Sequence, residues 1–261
     1  MASATTSVAA DLSTLSGRDF LSSADASAGQ TAALLELAGQ LKSGDRRIDL
    51  GNRVLGLIFT KASTRTRVSF QVAMARLGGQ TVDLNPQVTQ LGRGEPLEDT
   101  ARVLSRFCDV LAVRTFAQQE LADYAYWATI PVINALTDLE HPCQALADFL
   151  TMREAFGDLR GQTLTYVGDG NNVAHSLMLC GALLGVNVRI GCPEGFEPLP
   201  GVLEQARSLA VGGAQITVTS DPAEAARGAQ ALYTDVWASM GQEQEQAERE
   251  RAFQGFCLNE E

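Results

Sequence analysis

The stretch that decides the fold is residues 54–70, VLGLIFTKASTRTRVSF. Its first six residues form an apolar run, which predicts a buried strand. A helix is predicted to follow, because Phe70, Met74 and Leu77 fall on one face at helical spacing. The polar segment between the two is therefore predicted to lie at a junction from strand to helix.

Hydroxyl and guanidinium groups are concentrated at this junction. Ser63 is a natural N-cap, and the backbone amides of Thr64, Arg65 and Thr66 would then point out of the helix end, where the macrodipole favours an anion. Arg65 in the first turn opposes that dipole, and a bound phosphate would compensate for it. The alternative is a capped helix with two solvated arginines, Arg65 and Arg67.

Strand and helix patterns alternate along the rest of the chain. Further strands are predicted at residues 81–84, 110–113, 131–136, 163–167, 186–190, 215–218 and 231–234. Helices are predicted at residues 28–42, after a capping box at 27–30, and at 96–107, 118–127 and 173–184, with another opening after His141. This alternation predicts an α/β fold with parallel strands, and 261 residues suffice for two modest domains.

Polar residues follow several of the predicted strands. Arg114 ends the third strand, and His141 follows the fourth. In open α/β sheets ligands gather outside the carboxyl ends of the strands, so both residues are candidates for an anion site, although a structural salt bridge or a packed histidine would give the same pattern. Asp235 follows the last strand and is predicted to face the same crevice as Asn172, where its carboxylate would suit an ammonium group.

Composition excludes several other classes of function. A net charge of -11 and a pI near 4.7 argue against nucleic acid as a partner. The turn at 168–172, GDGNN, only half matches a dinucleotide fingerprint, and no Walker A motif is present.

With two histidines, a metal site has few nitrogen ligands. Five cysteines without a Cys-x-x-Cys pair are interpreted as reduced core residues of a cytosolic protein, and neither a signal peptide nor a membrane-spanning stretch is predicted.

Three motifs together resemble the transcarbamoylase family. They are STRTR at residues 63–67, the strand-end Arg114, and His-Pro-Cys-Gln at residues 141–144. The resemblance implies that carbamoyl phosphate binds in a first domain, residues 1–146. Its phosphate would contact Ser63, Thr64, Arg65 and Thr66, and its carbamoyl group would contact Arg114, His141 and Gln144. Pro142 and Cys143, within the same motif, are also expected to be substrate-binding residues.

Two later motifs, GDGNN at residues 168–172 and Asp-x-Trp-x-Ser-Met-Gly at residues 235–241, resemble the ornithine branch of that family. They imply an ornithine-binding domain at residues 147–261, with Asn172, Asp235, Ser239 and Met240 as ligands. The resemblance also implies a homotrimer in which Gln90 reaches a neighbouring site. A His-Cys-Leu-Pro segment and a final helix would be expected after Glu261, so the second domain is interpreted as incomplete at its C-terminal end.

The implied reaction is carbamoyl transfer from carbamoyl phosphate to the side-chain amine of L-ornithine, giving L-citrulline and phosphate, in arginine biosynthesis or catabolism. Arg65, Arg114 and His141 would be catalytic, and no metal or redox cofactor is needed. Two alternatives stay open at this point. One is a carbamoyltransferase for another amine, such as putrescine or an acylated ornithine, and the other is a non-catalytic module that binds carbamoyl phosphate.

Overall fold

The computed structural model describes residues 12–85, 89–237 and 246–259. It divides into two compact units between Cys143 and Gln144, three residues before the predicted boundary. Each unit contains one four-stranded sheet, and every strand pair is parallel. The predicted α/β class with two parallel sheets is confirmed.

The first unit has its strands in the order β2-β1-β3-β4. Its elements are α1 (Ala28–Ser43), β1 (Val54–Phe59), α2 (Arg65–Arg76), β2 (Gln80–Leu84), a 3-10 turn (Gln90–Arg93), α3 (Leu97–Leu104), β3 (Val110–Arg114), α4 (Gln118–Trp127) and β4 (Val132–Leu136). The capping box at Ser27 and Gln30 forms as predicted. Helix α3 is shorter than predicted, and Pro96 is its N-cap.

Strand β1 is apolar throughout because both faces of the sheet are covered. Leu55, Leu57 and Phe59 join a cluster with Met74 on one side, whereas Ile58 joins the cluster on the other side. A parallel sheet buried on both faces needs a continuous apolar strand rather than an alternating one.

The outer edge of β4 is covered by the segment before α1. The backbone N–H of Phe20 donates to Val132 (2.8 Å), and Phe20 accepts from Asn134 (2.8 Å). Farther along, the Glu140 carboxylate accepts from the Ser22 hydroxyl (2.5 Å) and from the Ser23 backbone N–H (3.0 Å). The N-terminal segment thereby holds the residue that precedes His141.

The second unit has its strands in the order β7-β6-β5-β8. Its elements are α5, which begins at Pro142 (Pro142–Phe156), β5 (Thr163–Val167), α6 (Asn172–Leu184), β6 (Asn187–Gly191), α7 (Pro200–Leu209), β7 (Ile216–Thr219), α8 (Pro222–Ala226), β8 (Ala231–Thr234) and α9 (Gln246–Ala252). Helices α7, α8 and α9 were not predicted.

The cysteines are only in part the core residues that the sequence indicated. All five are free thiols, and Cys108, Cys180 and Cys192 are buried. Cys257 is exposed, so its interpretation as a core residue is wrong: it follows the buried Phe256 but lies beyond the last helix. Among the helices of the described residues, none is long and apolar enough to cross a membrane.

Candidate functional site

The junction between β1 and α2 differs from the prediction at its cap. Helix α2 begins at Arg65, and its N-cap is Thr64, whose helical backbone (φ -91°, ψ -57°) makes no side-chain capping bond. Ser63 is therefore not the N-cap, and that prediction is wrong. The first intrahelical bond runs from the Val68 N–H to the Thr64 carbonyl (3.0 Å), so the amides before Val68 in the first turn have no intrahelical acceptor.

The two arginines of this turn have different surroundings. Arg67 forms an ion pair with Asp83 and lies over the ring of Phe59. Arg65 is exposed, and no carboxylate of the described residues pairs with it. It occupies the first helical position, where a cation opposes the dipole, so the site retains unbalanced positive charge.

Arg114 adds a second cation, at the carboxyl end of β3. Its side chain lies in the buried part of the unit, at 9% exposure, and its Nε–H has no hydrogen-bond partner. Burial, and next the charge of Arg65, lower its pKa. An orphaned buried donor is rare in proteins, so Arg114 is suited to a ligand that accepts a hydrogen bond.

His141 lies close enough to Arg114 for the two to interact electrostatically. Its pKa is lowered to about 4, mainly by burial and then by the Arg114 charge. The imidazole is therefore neutral at physiological pH and can donate one N–H without carrying charge. Pro142 is buried and opens α5, as predicted, so the helix begins beside this histidine.

Lys61 is a further cation near Arg114, and the sequence did not single it out. Its ammonium lies 4.0 Å from the centre of the Phe116 ring. Burial and the Arg114 charge lower its pKa, against a smaller opposing effect of Asp138.

Two other predicted substrate-binding residues, Cys143 and Gln144, already have protein partners. The Cys143 thiol donates to the Asn134 carbonyl (3.4 Å), and burial raises its pKa to about 12, so it is not a nucleophile. The Gln144 Nε2 donates to Asp148 Oδ1 (2.9 Å), which fixes the orientation of the amide in the second unit. Gln90 is exposed in the 3-10 turn of the first unit.

In the second unit, Asn172 is the first residue of α6 and Asp235 directly follows β8. Both are half-buried. Ser239 and Met240 lie outside the described residues. The N-cap of α6 is Asn171, whose Oδ1 accepts from the amides of Val173 (3.0 Å) and Ala174 (3.3 Å).

Asp235 acts electrostatically on two buried titratable groups of the second unit, Tyr166 and Asp148. Burial, and next the charges of Asp235 and Asp169, raise the pKa of Tyr166 well above its ordinary value. The pKa of Asp148 is raised to about 6, mainly by burial, and the Asp235 charge contributes to the rise. Asp148 was not predicted from the sequence, although its position four residues after Gln144 on one helix indicates that the two side chains can meet.

Comparison with known proteins divides the chain into two domains that correspond to the two structural units. Residues 18–154 match the family model described as aspartate/ornithine carbamoyltransferase, carbamoyl-P binding domain, and residues 160–261 match the Asp/Orn binding domain of that family. The chain is 85% identical over 260 residues to the ornithine carbamoyltransferase of Parasynechococcus marenigrum, covering 100% of this chain and 82% of that protein.

Solved structures agree with the sequence relatives. The ornithine carbamoyltransferase from Pyrococcus furiosus is 46% identical with a TM-score of 0.88, and the match covers 94% of this chain and 80% of that one. The enzyme from Gloeobacter violaceus is 58% identical with a TM-score of 0.79, and that match covers 84% and 74% of the two chains.

Proposed function

Because the chain belongs to the aspartate/ornithine carbamoyltransferase family, we propose that it transfers the carbamoyl group of carbamoyl phosphate to the side-chain amine of L-ornithine. The products are L-citrulline and phosphate. The observation that carries ornithine, rather than aspartate, is the 85% identity over the whole chain to a protein named ornithine carbamoyltransferase.

The first unit supplies the groups for the leaving phosphate. Arg65, the free amides of the first turn of α2, and the hydroxyls of Ser63, Thr64 and Thr66 bind it. The unbalanced positive charge of this turn and the desolvated Arg114 support this assignment, since charges interact more strongly where water is excluded.

The chemical step is attack by the neutral amine. The lone pair of the amine nitrogen forms a bond to the carbamoyl carbon, and the carbon–oxygen bond to phosphate breaks with its electron pair leaving on phosphate. The amine proton is lost to phosphate or to solvent. Arg114 and the neutral His141 donate hydrogen bonds to the carbonyl oxygen, where negative charge develops.

The amine substrate is assigned to the second unit. The Asp235 carboxylate attracts the cationic substrate, and Asn172 binds its other polar group. Ser239 and Met240 complete this set as a prediction from the motif. Gln144, near the start of α5, is assigned instead to the carbamoyl group of carbamoyl phosphate, and Pro142 and Cys143 adjoin it in sequence.

We place the enzyme in the cytoplasm as a homotrimer. Five free thiols suit a reducing compartment. The exposed position of Gln90 leaves it accessible to a neighbouring chain.

An amine panel tests the reaction. We expect citrulline from carbamoyl phosphate and L-ornithine, and little product from putrescine, an Nα-acylated ornithine or L-aspartate at equal concentration. Equal rates with putrescine would exclude ornithine as the preferred substrate. Absence of product from all four amines, with the chain shown to be folded by circular dichroism, would refute the assigned activity.

The anion site has its own test. Arg65→Ala is expected to weaken binding of a phosphonate analogue of carbamoyl phosphate by about 1.5–3 kcal/mol, the usual range for a charge-assisted hydrogen bond. Calorimetry measures this directly. The matched control is Arg76→Ala, an exposed arginine in the last turn of the same helix, which should leave the affinity unchanged. Equal affinity for wild type and Arg65→Ala would remove Arg65 from the site.

A further inference from the structure

A buried ion pair in the second unit joins two stretches that are far apart in sequence. Arg249 Nη1 lies 2.6 Å from Asp169 Oδ2 and donates to the Trp237 carbonyl at 3.0 Å. The side chains of Arg249 and Asp169 are 8% and 11% exposed. One guanidinium thus contacts both the 168–172 turn and the segment after β8.

Stability alone is a weak reason for such a pair. Removing two charges from water costs several kcal/mol per ion, and apolar replacements of similar volume are often no less stable. What the pair supplies is a fixed geometry. The guanidinium of Arg249 also lies over the ring of Phe196, 5.1 Å from the ring centre. The ring is thus a third contact that restricts the guanidinium.

The contact of Arg249 with Asp169 affects the position of Asn172 through the backbone of the turn between them. The Asn171 N–H donates to the Asp169 carbonyl (2.7 Å), and the Gly170 N–H donates to Phe196 (2.9 Å). Asn171 then caps α6, whose first residue is Asn172. Asp169 therefore anchors the turn that sets where Asn172 lies.

The contact of Arg249 with the Trp237 carbonyl restrains the segment that carries Asp235. Trp237 lies two residues after Asp235, and its indole N–H donates to the Phe256 carbonyl (3.1 Å). Its ring packs against Phe253, which is fully buried. With both its indole and its carbonyl held, Trp237 restrains the backbone that carries Asp235.

From these contacts we propose that Arg249 is a positioning residue for the amine substrate, which it does not touch, by fixing the separation of Asn172 and Asp235 and by neutralising Asp169. This inference rests on the proposed function. Asp169 and Asp235 both act on Tyr166, so they lie in one neighbourhood. Removing Arg249 would take away the cation that pairs with Asp169, and the stronger negative field of that carboxylate would then act on the substrate ammonium beside Asp235.

The experiment measures the affinity of the full chain for L-ornithine by calorimetry, with the phosphonate analogue of carbamoyl phosphate at saturation. Arg249→Met is expected to raise the Kd for L-ornithine by about tenfold or more. The Kd of Arg249→Lys for L-ornithine should lie between those of wild type and Arg249→Met, because an ammonium can keep one of the two polar contacts. The Kd of the analogue itself should change less than about twofold in both, since its assigned phosphate contacts, Arg114 and His141 are all in the first unit.

Two further variants separate positioning from folding. Arg189→Met is the matched control: Arg189 is a half-buried arginine of the same unit that donates to the Arg227 carbonyl (2.7 Å), and its loss should lower the Tm without changing the ornithine Kd. Asp169→Asn with Arg249→Gln removes both charges together, so it leaves no lone buried charge. It should bind ornithine more tightly than Arg249→Met, and still more weakly than wild type.

Each outcome decides a different point. If wild type binds ornithine and every folded Arg249 variant binds it equally well, the positioning role is wrong and the proposed function stands. An equal loss of affinity in Arg189→Met would also overturn the inference, because general destabilisation would then explain the effect. If wild type itself does not bind ornithine, the proposed function fails and the inference falls with it.

Discussion

Burial fixes the charge state of His141, and with it part of the dependence of stability on pH. The imidazole has a pKa of about 4 in the folded chain and about 6.5 when unfolded. Between these values the unfolded state binds the extra proton, so folding stability is fully present above pH 6.5 and is lost as the pH falls toward 4.

We expect His141→Gln to reduce the loss of stability on acidification. The histidine accounts for a decrease of roughly 2–3 kcal/mol in the free energy of unfolding between pH 7 and pH 4.5. Urea unfolding at the two pH values, for wild type and for His141→Gln, measures the difference. An unchanged decrease in the variant would contradict the lowered pKa.

Asp148 supplies a control of opposite sign. Its pKa of about 6 lies above the ordinary 3.8, so its ionisation costs stability as the pH rises through that interval. Asp148→Asn should therefore make the loss on acidification steeper, whereas His141→Gln makes it shallower.

Single residues were predictable where a local rule applied. Arg114 and His141 were found because each follows an apolar strand, and the structure brings them together with Arg65. The partnership of Arg249 with Asp169 was not predictable, because the two are 80 residues apart and neither neighbourhood indicates the other. The roles of the site residues stay predictions.

At the scale of elements, the strand–turn–helix from β5 to α6 depends on one small residue. A Cβ on Gly170 would lie 2.2 Å from the Pro198 nitrogen and 2.4 Å from the Glu197 carbonyl carbon. These are backbone atoms, so they cannot rotate away as a flexible side chain could. The turn and residues 196–198 must therefore both be displaced if a side chain is added.

Gly170→Ala should destabilise the second unit by about 1–3 kcal/mol or more. The matched control is Gly201→Ala in α7, where a Cβ would meet nothing within 4 Å. That change should be neutral or stabilising by about 0.5–1 kcal/mol, since alanine suits a helix better than glycine. Similar unfolding midpoints for the two variants would show that the close approach at Gly170 is not rigid.

Elements with strong periodicity or a clear cap were predictable from sequence. Helix α4 and strands β5 and β8 have the predicted bounds, because apolar runs and turn residues delimit them. Helices α7 and α8 were missed because each buries little: Val202 and Ala206 in one, Ala225 in the other. The start of α2 moved because Thr64 adopts a helical backbone, which leaves Ser63 outside the capping position.

For the whole molecule, the proposed trimer predicts that two inactive variants recover activity when their chains are mixed. If each site needs its own Arg114 and Gln90 from a neighbour, then Gln90→Ala chains and Arg114→Ala chains should both be nearly inactive alone. Mixed in equal amounts and reassembled, they should recover about a quarter of the wild-type activity, because one interface in four then carries both native residues.

A monomer in light scattering would refute the shared site. So would a mixture no more active than its two components, once mass spectrometry has shown that chains exchange. The trimer stays a prediction, and only the family resemblance supports it, since composition and periodicity describe one chain and leave its neighbours unspecified.

The cover on β4 has a consequence for the order of events during synthesis. Asp19 accepts from the Val132 backbone N–H, a partner 113 residues later in the chain. At about 5–20 residues per second, a ribosome needs on the order of ten seconds to make that partner. The segment around Asp19 must therefore wait for this partner, and the edge of β4 can be covered only after Val132 has been made. The first unit is thus completed only after β4, its last strand in sequence, has been translated.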